Sequence, residues 1–170
     1  MKPKNVVFDV FLILPMDRPD PEYWRNVVAV SVCGDAKSSF HAAPSVSFCF
    51  ERSAANPKEA VLGAIADLRR TIPGSRLAGL AGAPVESLTV RERFGEERFR
   101  DLVRIVEEGI SGSETPPAFD PAVWLAEWAL RPIPALGYRK PVNLRLDIRE
   151  GEIVDPVGIV LRRMEMGVYS

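Results

Sequence analysis

Few side chains in this sequence can do covalent or metal chemistry. There is one histidine, His41, and there are two cysteines, Cys33 and Cys49. His41 lies eight residues from each cysteine. Structural zinc takes converging ligands, usually four of them and often with a paired Cys-x-x-Cys. This chain offers three ligands at most and no such pair. Alternation along Val46–Arg52 sets Cys49 on one strand face with Ser47 and Glu51, whereas Cys33 falls at the end of a predicted helix. The cysteines therefore read as small buried hydrophobes, ahead of metal ligands or nucleophiles. Gly79 and Gly82 lack the strand, spacing and following Lys of a phosphate loop. No catalytic residues, no metal and no cofactor are expected. The chain is read as a binding protein, not an enzyme.

DNA reading is the next chemistry to weigh. Val85–Val106 has the layout helix, Gly95, helix, with Arg91, Arg93, Arg98, Arg100 and Arg104 along it. Six acids (Glu92, Glu96, Glu97, Asp101, Glu107, Glu108) sit among those five arginines. A recognition helix needs positive potential against phosphates before base contacts matter. Arg91 also occupies a position where such a motif buries a small residue. Specific DNA binding is not expected from this hairpin.

Composition narrows the classes further. The chain has 170 residues, 22 basic against 23 acidic, and a formal net charge of −1. An apolar share of 46% and a charged share of 26% are those of a globular protein, not a disordered one. No stretch approaches the run of about 18 apolar residues that crosses a bilayer. With two cysteines and no disulfide framework, the cytoplasm is the expected compartment.

The elements that must position any site follow from periodicity and punctuation. Asn5–Leu14 reads as a strand ending at Pro15. Asp20-Pro21 opens a helix running to Cys33, with Trp24, Val27, Val28 and Ser31 on one face. Ser38–Ala43 and Val46–Arg52 read as strands, the second with Val46, Phe48 and Phe50 inward. Asn56-Pro57 opens the clearest helix, Pro57–Ile72, and Ser75–Leu80 is a short strand. The order β-α-β-β-α-β predicts a ferredoxin-like unit, with helices on one face of an antiparallel sheet. Val85–Phe94 and Glu96–Gly109 are predicted helices, and Ile110–Phe119 is a linker. Asp120-Pro121 and Asp155-Pro156 open two more helices, the first with Trp124, Leu125 and Trp128 inward, the second with Val157, Val160, Leu161 and Met164 inward. Gly167 should stop the last one. The predicted class is α+β: a ferredoxin-like βαββαβ unit over 1–82, a helical hairpin and linker over 83–118, and an all-helical domain over 119–170.

The final third carries a more specific pattern. Phe119–Leu130 is followed by Arg-Pro-Ile-Pro-Ala-Leu-Gly-Tyr-Arg-Lys-Pro-Val-Asn-Leu over Arg131–Leu144. The chain ends in Arg162-Arg163-Met164-Glu165-Met166-Gly167-Val168-Tyr169-Ser170. These segments resemble the toxin-binding domain of the MbcA/ParS/Xre antitoxins, with its Trp-containing helix, its Pro-x-Pro-Ala-Leu-Gly-Gly-x-x-Pro core and its closing Gly-Val-Tyr. Tyr138 stands where that pattern has its second Gly, and Arg145 where it has a second Leu. The resemblance implies an antitoxin whose partner is a RES-type toxin, an enzyme that consumes NAD. It implies that the C-terminal segment covers the toxin's active-site entrance. The partner-binding residues it points to are Leu136, Gly137, Arg139, Pro141, Arg162, Arg163, Gly167, Val168, Tyr169 and Ser170. Arg139, Lys140, Arg162 and Arg163 suit acidic groups on a partner, and Tyr169 suits a pocket or its own core.

A second reading is a non-enzymatic regulatory module whose ferredoxin-like unit binds a small molecule or dimerises through its sheet. The apolar and aromatic content of Val46–Glu51 and of the Asp120 helix also suggests a homodimer.

Overall fold

In the computed structural model, residues 2–39 and 42–165 are described. The chain divides into two compact units, Met1–Thr89 and Val90–Ser170. Among the described residues the architecture is α+β, with a four-stranded antiparallel sheet and six α-helices.

In the first unit the elements are β1 (Lys4–Ile13), α1 (Pro21–Ala29), β2 (Lys37–Ser39), β3 (Ser45–Ala54), α2 (Pro57–Thr71) and β4 (Arg76–Ala81). The sheet order is β2-β3-β1-β4, and each neighbouring pair is antiparallel. Strand alternation sorts the faces. Val6, Phe8, Val10 and Leu12 of β1 and Val46, Phe48 and Phe50 of β3 form the core. Against them α2 packs Val61, Ala64, Ile65 and Leu68, and α1 packs Val28 and the flank of Trp24. Phe8 and Phe50 stand opposite each other across the strands with centroids 5.5 Å apart. The predicted stripe of α2 is thus the buried one.

Helix α1 ends at Ala29, four residues short of the sequence expectation. Ser31 explains the early stop. Its hydroxyl donates to the Val28 carbonyl (2.8 Å) and accepts from the Cys33 N–H (3.0 Å). A side chain that bonds its own backbone competes with the helical ladder. Trp24, Val27, Val28 and Ser31 remain the more buried side chains, as predicted, and Val30, just past the helix end, is 89% exposed. Strand β2 is also shorter than Ser38–Ala43, and a turn from Ala42 to Ser45 precedes β3.

The predicted helix Val85–Phe94 is two pieces. A 3-10 turn (Ala83–Ser87) is followed by extended Leu88 and then by α3 (Val90–Phe94). Val85 and Leu88 belong to the first unit's core, while Val90 and Phe94 belong to the second's. One apolar period therefore serves two cores, and the helix breaks where they meet in sequence.

The second unit contains α3, α4 (Glu96–Ile110), α5 (Pro121–Trp128), the strands β5 (Asp147–Arg149) and β6 (Glu152–Val154), and α6 (Pro156–Glu165). Helices α3 and α4 share one core with the C-terminal segment: Phe94, Phe99, Leu102, Leu125, Trp128, Val157 and Leu161 all lie in it. The expected all-helical character is corrected by the β5–β6 hairpin, in which Ile148 pairs with Ile153. Its two turn residues, Glu150 and Gly151, have φ of 52° and 82°. Two left-handed residues are what a tight hairpin requires, and Gly151 adopts that conformation without penalty.

Candidate partner-binding surface

The positioning elements are capped as the sequence predicts. Asp120 Oδ1 accepts from the Ala122 and Val123 N–H groups at 2.9 and 3.2 Å, and Asp155 Oδ1 accepts from Val157 at 3.0 Å. Helix α5 buries Leu125 and Trp128, while Trp124 is half-buried and stacks on Trp128 with centroids 5.8 Å apart. After α5 the Val142 N–H returns to the Ala129 carbonyl (3.1 Å). A loop is thereby pinched off between those two residues.

That loop is internally bonded. Ile133 and Arg139 form an antiparallel bridge, and the Tyr138 N–H donates to the Ile133 carbonyl at 3.0 Å. A 3-10 turn spans Pro134–Leu136, and Gly137 follows at φ 63°, ψ 39°. Tyr138 also has positive φ, 60°. The Arg139 N–H closes this pair by bonding the Leu136 carbonyl at 3.3 Å. A Cβ at Gly137 would meet nothing within 4 Å, so glycine is demanded there by φ rather than by space. Tyr138 has no such freedom, and a left-handed conformation costs an ordinary residue roughly 1–2 kcal/mol. Its side chain is 74% exposed.

The residues named from sequence separate by burial. Leu136 and Pro141 are buried and shape the loop from inside. Gly137 and Arg139 lie on its exposed rim, where Arg139 Nε donates to the Leu136 carbonyl at 3.0 Å. Arg162 and Arg163 are exposed on α6, and Arg162 reaches Glu108 at 3.5 Å. Gly167, Val168, Tyr169 and Ser170 lie outside the described residues. The loop rim is therefore one group, and the α6 arginines belong to another element.

Two features were not singled out from sequence. One is the exposed pair Leu130 (48% exposed) and Arg131 at the start of the loop, which adds to the exposed Tyr138 and Lys140 already named. A charge count would have found it, because Trp128–Leu146 contains four cations (Arg131, Arg139, Lys140, Arg145) and no acid. The other is a half-open apolar groove of about 360 Å³ lined by Val106, Ile110, Phe119, Trp124, Leu161 and Met164. It suits an apolar side chain and carries no charged group.

The arginines of the predicted hairpin have structural partners. Arg98 is buried and bonds Asp155 and the Leu144 carbonyl. Arg91 pairs with Glu96, whose carboxyl it holds below the usual carboxylate range, and Arg93 reaches Asn143 at 2.6 Å. Arg104 lies 3.9 Å from Asp101. Cys33 sits in the first unit's core, 3.8 Å from the Thr71 hydroxyl, and burial pushes its thiol up. Burial and then Asp9 do the same for Cys49. His41 is outside the described residues. Among the described residues no group of three or more His, Cys, Asp or Glu is placed to hold a metal ion, and no helix is long and apolar enough to cross a membrane.

Comparison with known proteins gives one informative likeness. Over 77 residues, 44% of this chain, the sequence is 34% identical to a protein of Sphingobium sp. (strain YBL2) named Prs ADP-ribosylating antitoxin. The match spans 46% of that protein, under half its length. No protein-family model matches the chain, and no solved structure does.

Proposed function

We propose that this chain is an antitoxin-type binding protein that neutralises a RES-type, NAD-consuming toxin, covering its active-site entrance with the C-terminal segment. The observation that carries this reading is the 34% identity to a protein named as an antitoxin. The residue pattern of Phe119–Ser170 supports the domain type. The second unit supports a binding role, because its exposed features are a cationic, aromatic loop rim and an apolar groove. Action is by occlusion, so Val168 and Tyr169 contribute bulk rather than chemistry. The first unit is assigned to the ferredoxin-like type, on the strength of its βαββαβ order and the antiparallel arrangement β2-β3-β1-β4.

The test is a titration of the purified chain into a purified RES-type toxin, taken first from an adjacent reading frame, with NAD consumption as readout. Near-stoichiometric suppression is expected, and deletion of Gly167–Ser170 should relieve it. Undiminished NAD consumption with the full chain in excess would overturn the reading.

A second reading is favoured by the sheet face that α1 and α2 leave uncovered. There Val7 is 52% exposed and pairs with exposed Glu51, and half-buried Asp9 pairs with half-buried Cys49. Such a face suits self-association or a small ligand. A dimer mass by light scattering that falls to a monomer mass on Val7→Lys would support it.

A further inference from the structure

The Leu136–Arg139 turn places an aromatic residue where the backbone asks for glycine. Gly137 and Tyr138 have φ of 63° and 60°, and the turn closes from the Arg139 N–H to the Leu136 carbonyl. Gly, Asn and Asp take such positions easily, whereas a bulky residue there is an outlier. Folding does not repay the strain. Tyr138 is 74% exposed, and among the described residues its side chain makes no hydrogen bond or ring contact. A strained, surface-held side chain points to a use outside the chain.

The surroundings say what kind. Arg139 and Lys140 follow Tyr138 directly and are exposed, as is Arg131 at the start of the same loop, in a stretch without an acid, on a chain whose net charge is −1. Leu130 and Ala135 add exposed apolar surface. Tyr and Arg together, with a small apolar component, are the residues enriched at protein interfaces. We propose that Tyr138 is a specificity-determining anchor of the partner contact, inserting into an acidic-rimmed pocket on the partner protein while the flanking cations meet the rim. This rests on the antitoxin reading, and it adds a contact distinct from the C-terminal segment.

The experiment uses the full chain with Tyr138→Gly and Tyr138→Phe. It measures the thermal midpoint of each protein alone and the affinity for the RES-type toxin at low and physiological salt. Tyr138→Gly should keep or raise the midpoint, because it removes the strain, yet lose roughly thirty-fold or more in affinity. Tyr138→Phe should retain most of the binding. Added salt should weaken wild type, since the rim contact is electrostatic. Wild-type binding with Tyr138→Gly equal to it would overturn the anchor and leave the antitoxin reading intact. A wild type that binds no RES-type toxin would overturn both. A sharp fall in the midpoint of Tyr138→Gly would make Tyr138 a structural residue and end the proposal. Duplex DNA binding that disappears in Tyr138→Gly would assign the surface to nucleic acid instead.

Discussion

Arg98 and Asp155, 57 residues apart in sequence, form a two-pronged ion pair inside the second unit. Arg98 Nε and Nη2 each lie 2.8 Å from a different Asp155 oxygen, and Nη1 donates to the Leu144 carbonyl at 2.9 Å. The guanidinium also lies over the Phe94 ring, 4.7 Å from its centroid. Asp155 Oδ1 meanwhile caps α6. One buried arginine thus ties α3, α4, the Leu144 backbone and the start of α6 together. Arg98 is only 4% exposed while its partner is 21% exposed, so losing the arginine strands a carboxylate that water reaches poorly.

Breaking such a pair from one side costs about 3–5 kcal/mol. Arg98→Ala should therefore lower the unfolding free energy of the second unit by an amount in that range, read from urea titration. Asp155→Asn should also destabilise, because its amide oxygen can still cap α6 but the buried guanidinium loses its counter-charge and one of its two carboxylate acceptors. A loss under about 1 kcal/mol from either variant would contradict the assigned geometry.

Gly137→Ala is a cleaner backbone probe. The added methyl meets nothing within 4 Å, so only the left-handed φ of 63° opposes it. A loss of about 1 kcal/mol is expected, with no change in the far-ultraviolet spectrum. A neutral result would mean that the Leu136–Arg139 turn relaxes in solution.

The sequence announces the parts of this fold that local chemistry decides. Asp20, Asn56, Asp120 and Asp155 each precede a proline, and each accepts from the N–H two residues on. The α2 stripe is equally legible, since Val61, Ala64 and Leu68 recur at helical spacing and are fully buried. What escapes is non-local. Arg98 looks like its exposed neighbours Arg100 and Arg104 until α6 brings Asp155 to it. The β5–β6 hairpin hides because three-residue strands leave almost no period to detect. For the candidate surface, the loop segment is visible as a motif, but the motif does not tell buried Leu136 and Pro141 from exposed Tyr138.

Duplex DNA gives a further test of the second unit. Arg91, Arg98, Arg100 and Arg104 all lie against carboxylates within the unit, so α3 and α4 present little uncompensated positive charge. Fluorescence anisotropy should show only weak binding that salt abolishes and that ignores sequence. Nanomolar, sequence-selective binding at physiological salt would contradict this.

The two cysteines should differ in how they react. Cys33 is fully buried in the first unit's core, and desolvation holds its thiol above the ordinary range, the Thr71 and Ser31 hydroxyls only partly offsetting that. Cys49 is half-buried on the opposite sheet face, and its thiol is raised first by burial and then by the neighbouring Asp9 carboxylate. The thiolate is the reactive form, so a raised thiol is slow at neutral pH. Alkylation followed by intact-mass spectrometry should label neither residue quickly at pH 7. Raising the pH should accelerate labelling at Cys49 first, because the reagent can reach it without unfolding. Asp9→Asn removes the carboxylate that opposes a second negative charge, and it should bring Cys49 labelling to lower pH. Cys33 should be labelled only when denaturant opens the core, at the midpoint where the far-ultraviolet signal of the first unit is lost. Fast labelling of Cys33 in the native protein would show that the α1 side of the core opens on its own, short of global unfolding.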